Sequence, residues 1–200
     1  MTLPNWKAED YFVDFETFYF EGKRVQAPII RKIGWIIENL NTVIYPDAIR
    51  AIVNGGELSG LLLGFSVVEY LAGYYFGRNS NSKDVKNFMS RYFPGQYKPF
   101  TEDIISQLRN GLVHNLSISN PWVPHKYIFT IEKRSDSHLQ EVDGKIIFSI
   151  YHYLEDGRRA MVMYFYDMVM KSEENQDLID NFEKRFNKKD GSASMIMKTD

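Results

Sequence analysis

Apolar residues recur at intervals of three and four in the first half of the chain: Ile29, Ile33, Ile36, Leu40, Val43 and Ile44. That spacing predicts an amphipathic helix beginning after Arg24. Pro28 suits its first turn, where no amide proton is needed. Tyr45-Pro46-Asp47 should end or kink the helix, because the proline ring disfavours helical backbone in the residue before it. A short helical piece over Asp47 to Val53 follows, closed by Asn54-Gly55-Gly56. Leu58 to Phe76 then holds nineteen residues and a single charge, Glu69. Its length admits a membrane span. A mid-span carboxylate would cost about 2.5 kcal/mol or more, and no other stretch has this character. The expectation is a central bundle helix, apolar all round because other helices surround it. Gly60 and Gly64, four apart, would let a neighbouring backbone approach closely. Glu69, if buried, needs a partner. Either it makes a structural hydrogen bond to a nearby side chain, or it orients a polar site.

Gly77 to Ser82 reads as a loop with Ser82 as N-cap, and Lys83 to Tyr92 as a short helix stopped by Phe93-Pro94-Gly95. Thr101 is expected to cap the next helix, with Glu102 and Asp103 in its acid-favouring first turn. On that helix Ile104, Ile105 and Leu112 fall within about 60° of Leu108 at roughly 100° per residue. Arg109, Asn110 and His114 ring the opposite face, with Asn110 and His114 on one edge. A straight α-helix would separate Arg109 from His114 by about 140°. They converge only through the reach of the arginine, a bend at Gly111, or a second copy of the helix opposite.

The pattern changes after Asn120-Pro121-Trp122-Val123-Pro124. Tyr127 to Glu132 alternates like a strand. His138 to Val142 and Lys145 to Ile150, joined by Asp143-Gly144, read as a hairpin with a two-residue turn. A small antiparallel meander is the expectation. Tyr153 to Met170 reads as a helix with Met161, Val162, Phe165, Met168 and Val169 in the core. Ser172 would cap a last helix carrying Leu178, Ile179, Phe182 and Phe186. The resulting organisation is an aromatic-rich segment over residues 1–22, a helical bundle over 23–118, the meander with two C-terminal helices over 119–187 packed on the same domain, and a flexible tail over 188–200. The fold class is mainly α.

Composition narrows the chemistry. Apolar residues make up 44% of the 200 residues, which excludes intrinsic disorder. The absence of cysteine removes disulfides, thiolate catalysis and cysteine-based zinc sites together. His125, His138 and His152 lack metal-ligand spacing, so no metal or other cofactor is expected. No G-x-S-x-G elbow or phosphate-cradling glycine loop occurs. The N-terminus shows no basic flank and apolar run, so a cytoplasmic setting is expected. A net charge of -2 gives no global attraction to nucleic acid, so a nucleic-acid partner would need a local patch.

One short motif stands out against this scaffold. Arg109-Asn110-Gly111-Leu112-Val113-His114 resembles the R-x4-6-H motif of HEPN domains in its RN-xxx-H form, and the helical context from Arg24 to Leu116 is similar to theirs. The resemblance implies a HEPN-like helical bundle that dimerises, placing two motifs across a cleft. Active members are metal-independent ribonucleases; others bind nucleotides or RNA, or act only as dimerisation modules. By that resemblance His114 would be the acid/base, Arg109 the phosphate clamp and Asn110 an orienting hydrogen-bonder. Glu69 would be the supporting acidic residue from an earlier helix. The chemistry agrees: histidine titrates near neutral pH, and guanidinium suits a phosphoryl group gathering charge. The competing reading is a solvated helix face with no ligand.

Overall fold

The computed structural model describes residues 27–115, 126–170 and 175–190. The aromatic-rich N-terminal segment, Ser172 and residues 191–200 lie outside them. Helix α1 (Ala27–Asn39) does not end before the proline. It continues through a wide π turn (Leu40–Ile44) into α2 (Tyr45–Val53). The Tyr45 amide reaches back five residues to the Leu40 carbonyl, and Pro46 sits at the start of α2. Adding one residue to the turn absorbs the break in the ladder that the proline imposes. It also shifts the apolar stripe, which explains why Val43, expected inside, is exposed while Leu40 and Tyr45 are buried.

Helix α3 (Glu57–Tyr75) is the centre of the structure. It packs against α2, α4 (Ser82–Tyr92), α6 (Ile150–Met170) and α7 (Gln176–Asp190). Among the described residues it is one helix long and apolar enough to cross a membrane, yet 56% of its apolar stretch is buried inside the protein. Its glycines set the close approaches. A Cβ at Gly60 would lie 2.7 Å from the Ala48 carbonyl oxygen of α2. One at Gly64 would lie 2.7 Å from Leu154 of α6. The N-cap of α4 is Asn81, not Ser82: Asn81 Oδ1 accepts from the Asp84 amide while the Asp84 carboxylate accepts from the Asn81 amide, a reciprocal capping box. Thr101 is likewise inside helix α5 rather than capping it, and its hydroxyl donates to the Tyr97 carbonyl. Helix α5 opens as an α turn (Thr101–Asp103) and runs on in π geometry (Ile104–Arg109, Gly111–Asn115).

The sheet is mixed, not an antiparallel meander. Strands β1 (Phe129–Glu132), β2 (Glu141–Val142) and β3 (Lys145–Ser149) lie in the order β1-β3-β2. The β2-β3 hairpin turns at Asp143 and Gly144, both at positive φ, the pair of left-handed residues such a turn requires. However, β2 is only two residues long, since His138 and Leu139, expected in the strand, lie in a turn with Leu139 at positive φ. β1 pairs with the free edge of β3 in parallel, Phe129 opposite Ile146. Period-two alternation says which side chains point inward, but not which edge a strand takes. Phe148 of β3 and Tyr153, Tyr164 and Phe165 of α6 join the same hydrophobic core as Ile33, Leu61 and Leu108. Helix α7 extends to Asp190, three residues into the expected tail. The fold is thus mainly helical, with a small mixed sheet.

Gly60→Ala tests the central packing. Alanine favours helix by about 1 kcal/mol, but the backbone oxygen of Ala48 cannot move aside. The expected outcome is a net loss of about 1–3 kcal/mol by chemical denaturation; an unchanged or raised midpoint would contradict the close approach of α2 to α3.

Candidate functional site

Glu69 stands on α3 one helical turn before Gly73, and Arg109 and Asn110 on α5. The structure brings these three together. Arg109 Nη2 donates to Glu69 Oε2 at 2.6 Å, and Nη1 donates to Asn110 Oδ1 at 2.7 Å. The Glu69 carbonyl is also bound, accepting from the Ser80 hydroxyl at 2.8 Å. The arginine side chain is only 13% exposed and its glutamate partner 33%. Arg109 is therefore not on an open polar face. It lies against α3, its plane fixed by bonds from two elements, and its Nε is buried without a hydrogen-bond partner. Hydrogen bonds to charged groups contribute about 1.5–3 kcal/mol when sheltered, so the Glu69–Arg109 pair both ties α5 to α3 and pre-orients a cation.

The π geometry of α5 changes the angular relation of Arg109 and His114. When turns close over five residues instead of four, positions five apart come nearly into register. Backbone position 114 therefore comes round closer to position 109 than in a straight α-helix. This route to convergence differs from a bend at Gly111 or a second subunit. The His114 side chain itself lies outside the described residues. Asp103, in the α turn before the π segment, is buried. Asp103 Oδ1 accepts from Gln107 Nε2 at 3.0 Å, and Gln107 Nε2 also donates to the Tyr127 carbonyl at 2.8 Å. These bonds moor α5 to the segment entering β1. Ile104, Ile105, Leu108 and Leu112 are buried as the periodicity requires.

A second buried polar cluster had no spacing signal in the sequence. His138, 5% exposed, accepts the Ser149 amide at Nδ1, 2.9 Å away. An accepting Nδ1 puts the proton of the neutral ring on Nε2, which faces Tyr97 Oη at 2.8 Å. The Tyr97 hydroxyl in turn donates to Asp156 Oδ2 at 2.9 Å. His152 stacks on His138 with centroids 5.4 Å apart and bonds through Nδ1 to the Ser149 hydroxyl at 2.9 Å. Burial, aided by the charge of His152, pushes the His138 pKa down to about 4. Burial also raises the Asp156 carboxyl, opposed by its bond from Tyr97 and by Arg159. The cluster joins the loop before β2, the turn after α4 and helix α6. It also explains Asp156 in the middle of a long helix.

A concavity lies elsewhere. It is an apolar groove of about 320 Å³ between α1, the π turn and α3, lined by Trp35, Leu40, Ile44, Leu63, Val67 and Tyr70. None of the candidate site residues lines it. Among the described residues no group of three or more histidine, aspartate or glutamate side chains could hold a metal ion. No family model matches the chain, and no curated protein or solved structure is significantly similar to it.

The His138 cluster makes stability pH-dependent. An unfolded histidine takes up a proton near pH 6.5, whereas folded His138 resists until about pH 4. Its contribution is full above pH 6.5 and is lost as pH falls toward 4, amounting to roughly 2–4 kcal/mol at 1.36 kcal/mol per pKa unit. Asp156 acts in the opposite direction, since protonation of its raised carboxyl favours the fold as pH drops. His138→Gln keeps an acceptor but removes the titrating ring. Urea melts should show the gap between variant and wild type shrinking from pH 7 to pH 4.5; a constant gap would contradict a neutral, resisting His138.

Proposed function

We propose that the protein is a HEPN-like, metal-independent endoribonuclease acting as a homodimer. The observation that carries this reading is the 2.6 Å bond that Arg109 donates to Glu69, with its other guanidinium nitrogen donating to Asn110. A cation held in a defined orientation, within an R-N-x3-H sequence, is what charge stabilisation at a phosphodiester requires. In this reading Arg109 clamps the phosphate, Asn110 orients it, and Glu69 positions Arg109. His114 of one copy takes the proton of the ribose 2′-hydroxyl as that oxygen attacks phosphorus. The 5′-oxygen leaves with a proton supplied by the second copy's motif, giving a 2′,3′-cyclic phosphate and a 5′-hydroxyl. All chemistry is proton transfer and charge stabilisation, so no step needs a metal.

One observation favours a second reading, a non-catalytic HEPN-like module that binds a nucleotide or RNA, or serves only to dimerise. Glu69 neutralises Arg109, and the chain carries a net charge of -2. A site with little free positive charge suits a weakly held ligand better than a long RNA.

Purified protein incubated with varied RNAs in EDTA separates the two. Cleavage with cyclic-phosphate ends is expected, falling at least about 100-fold in Arg109→Ala and His114→Ala with unchanged helical circular dichroism. Glu69→Gln should retain part of the activity, because it keeps a hydrogen-bond acceptor for Arg109 but loses the charge. Wild-type protein that leaves every RNA intact would end the nuclease reading. Sedimentation should show a dimer in the wild type and in all three variants.

A further inference from the structure

We propose that the apolar groove between α1 and α3 is the seat of the chain's own segment Tyr11–Phe20, whose aromatic rings fill it. This does not depend on the function proposed above. Helix α3 is apolar all round, a composition that suits a helix enclosed on every side. Helices α2, α4, α6 and α7 enclose most of it. The face carrying Leu63, Ser66 and Tyr70, three and four residues apart, opens into the groove instead. Ser66 is exposed there, and Leu63 and Tyr70 are only partly buried. On the α1 side of the groove the Trp35 indole is 51% exposed. The central helix of the protein thus has an apolar space of about 320 Å³ along one face, and a large ring standing at its edge.

The walls and the chain length together select the occupant. No charged side chain among the described residues lines the groove, so it takes rings or aliphatic groups rather than an ion. Tyr11–Phe20 carries six aromatic side chains in ten residues, the highest density in the chain. Only Asp14 and Glu16 are charged within it, and these carboxylates belong at the rim, in water. Helix α1 begins at Ala27, so the segment is joined directly to one wall of the groove. Trp35 is eight residues along α1, about 12 Å from its start. The seven residues from Phe20 to Ala27 span up to roughly 23–25 Å. Phe20 therefore reaches Trp35 with slack, and the residues before it cover the further roughly 14 Å to Ile44. A tether this short holds the segment beside the groove at an effective concentration on the order of millimolar, well above that of a second copy in dilute solution.

The test is disulfide trapping in the full chain, which contains no cysteine of its own. Ser66→Cys places a thiol in the groove and is paired in turn with Phe12→Cys, Phe15→Cys and Phe18→Cys. The control pairs the same three with Met163→Cys, exposed on α6. On mild oxidation at least one Ser66→Cys pair should form an intrachain link, seen as a faster-migrating monomer on a non-reducing gel, at least about tenfold faster than its control. With Trp6→Phe and Trp122→Phe in place, Trp35 is the single tryptophan. Its quenching by acrylamide should rise roughly twofold when Phe12→Ser, Phe15→Ser and Phe18→Ser are combined, because docked rings shield the indole. The proposal is overturned if the Ser66→Cys pairs link no faster than their controls, or if the serine variant leaves the quenching of Trp35 unchanged. Links that form only between chains overturn it too, and make a second copy the occupant. Should the serine variant not fold, the trapping rates decide alone.

Discussion

A carboxylate on the most enclosed helix of the protein has to be answered, and the answer fixes where α5 lies. Apart from Glu57 in its first turn, Glu69 is the one charge of α3. Its side chain is a third exposed, and the arginine that bonds it is the more sheltered partner. Arg109 meets it at 2.6 Å. Ser80 binds the carbonyl of the same residue, so the loop after α3 is secured at the point where α5 docks. The apolar stripe of α5 would tolerate some rotation about its axis. The ion pair opposes it, because rotation would carry Arg109 Nη2 away from Glu69 Oε2.

The glycines of α3 make this arrangement possible in a different way. Gly60 admits α2, Gly64 admits α6, and Gly73 admits the guanidinium of Arg185. Three neighbours thus reach the same helix at close range, each opposite a missing side chain. Helix α3 is therefore less a hydrophobic plug than a rail with three notches.

The sequence foretold the parts governed by local rules. The burial of α3, the apolar stripe of α5, the cores of α6 and α7, and the left-handed pair Asp143-Gly144 follow from periodicity and turn chemistry alone. Glu69 could be marked as needing a partner, because an isolated charge in an apolar run is visible without coordinates. Other features depend on contacts between distant residues. His138 gave no signal, because the tyrosine and aspartate that hold it are 41 and 18 residues away in the chain. The parallel seat of β1 depends on which edge of β3 is free. Arg109, expected on the face away from the core, is sheltered against Glu69 of α3, a neighbour that helical periodicity alone does not reveal.

The π turns carry a consequence for how distance along this chain is to be understood. A turn with one extra residue is structurally equivalent to an insertion that the helix has accepted without breaking. On α1 and α2 it lets Pro46 sit within a continuous helical run, and it places residues before Leu40 and after Tyr45 in different phases. On α5 it makes a five-residue interval behave much as a four-residue interval does elsewhere. A spacing such as R-x4-H therefore has no fixed meaning in ångströms or degrees. It acquires one only once the local hydrogen-bond ladder is known, and a single deletion between Ile104 and Asn115 would alter which residues face α3 without removing any of them.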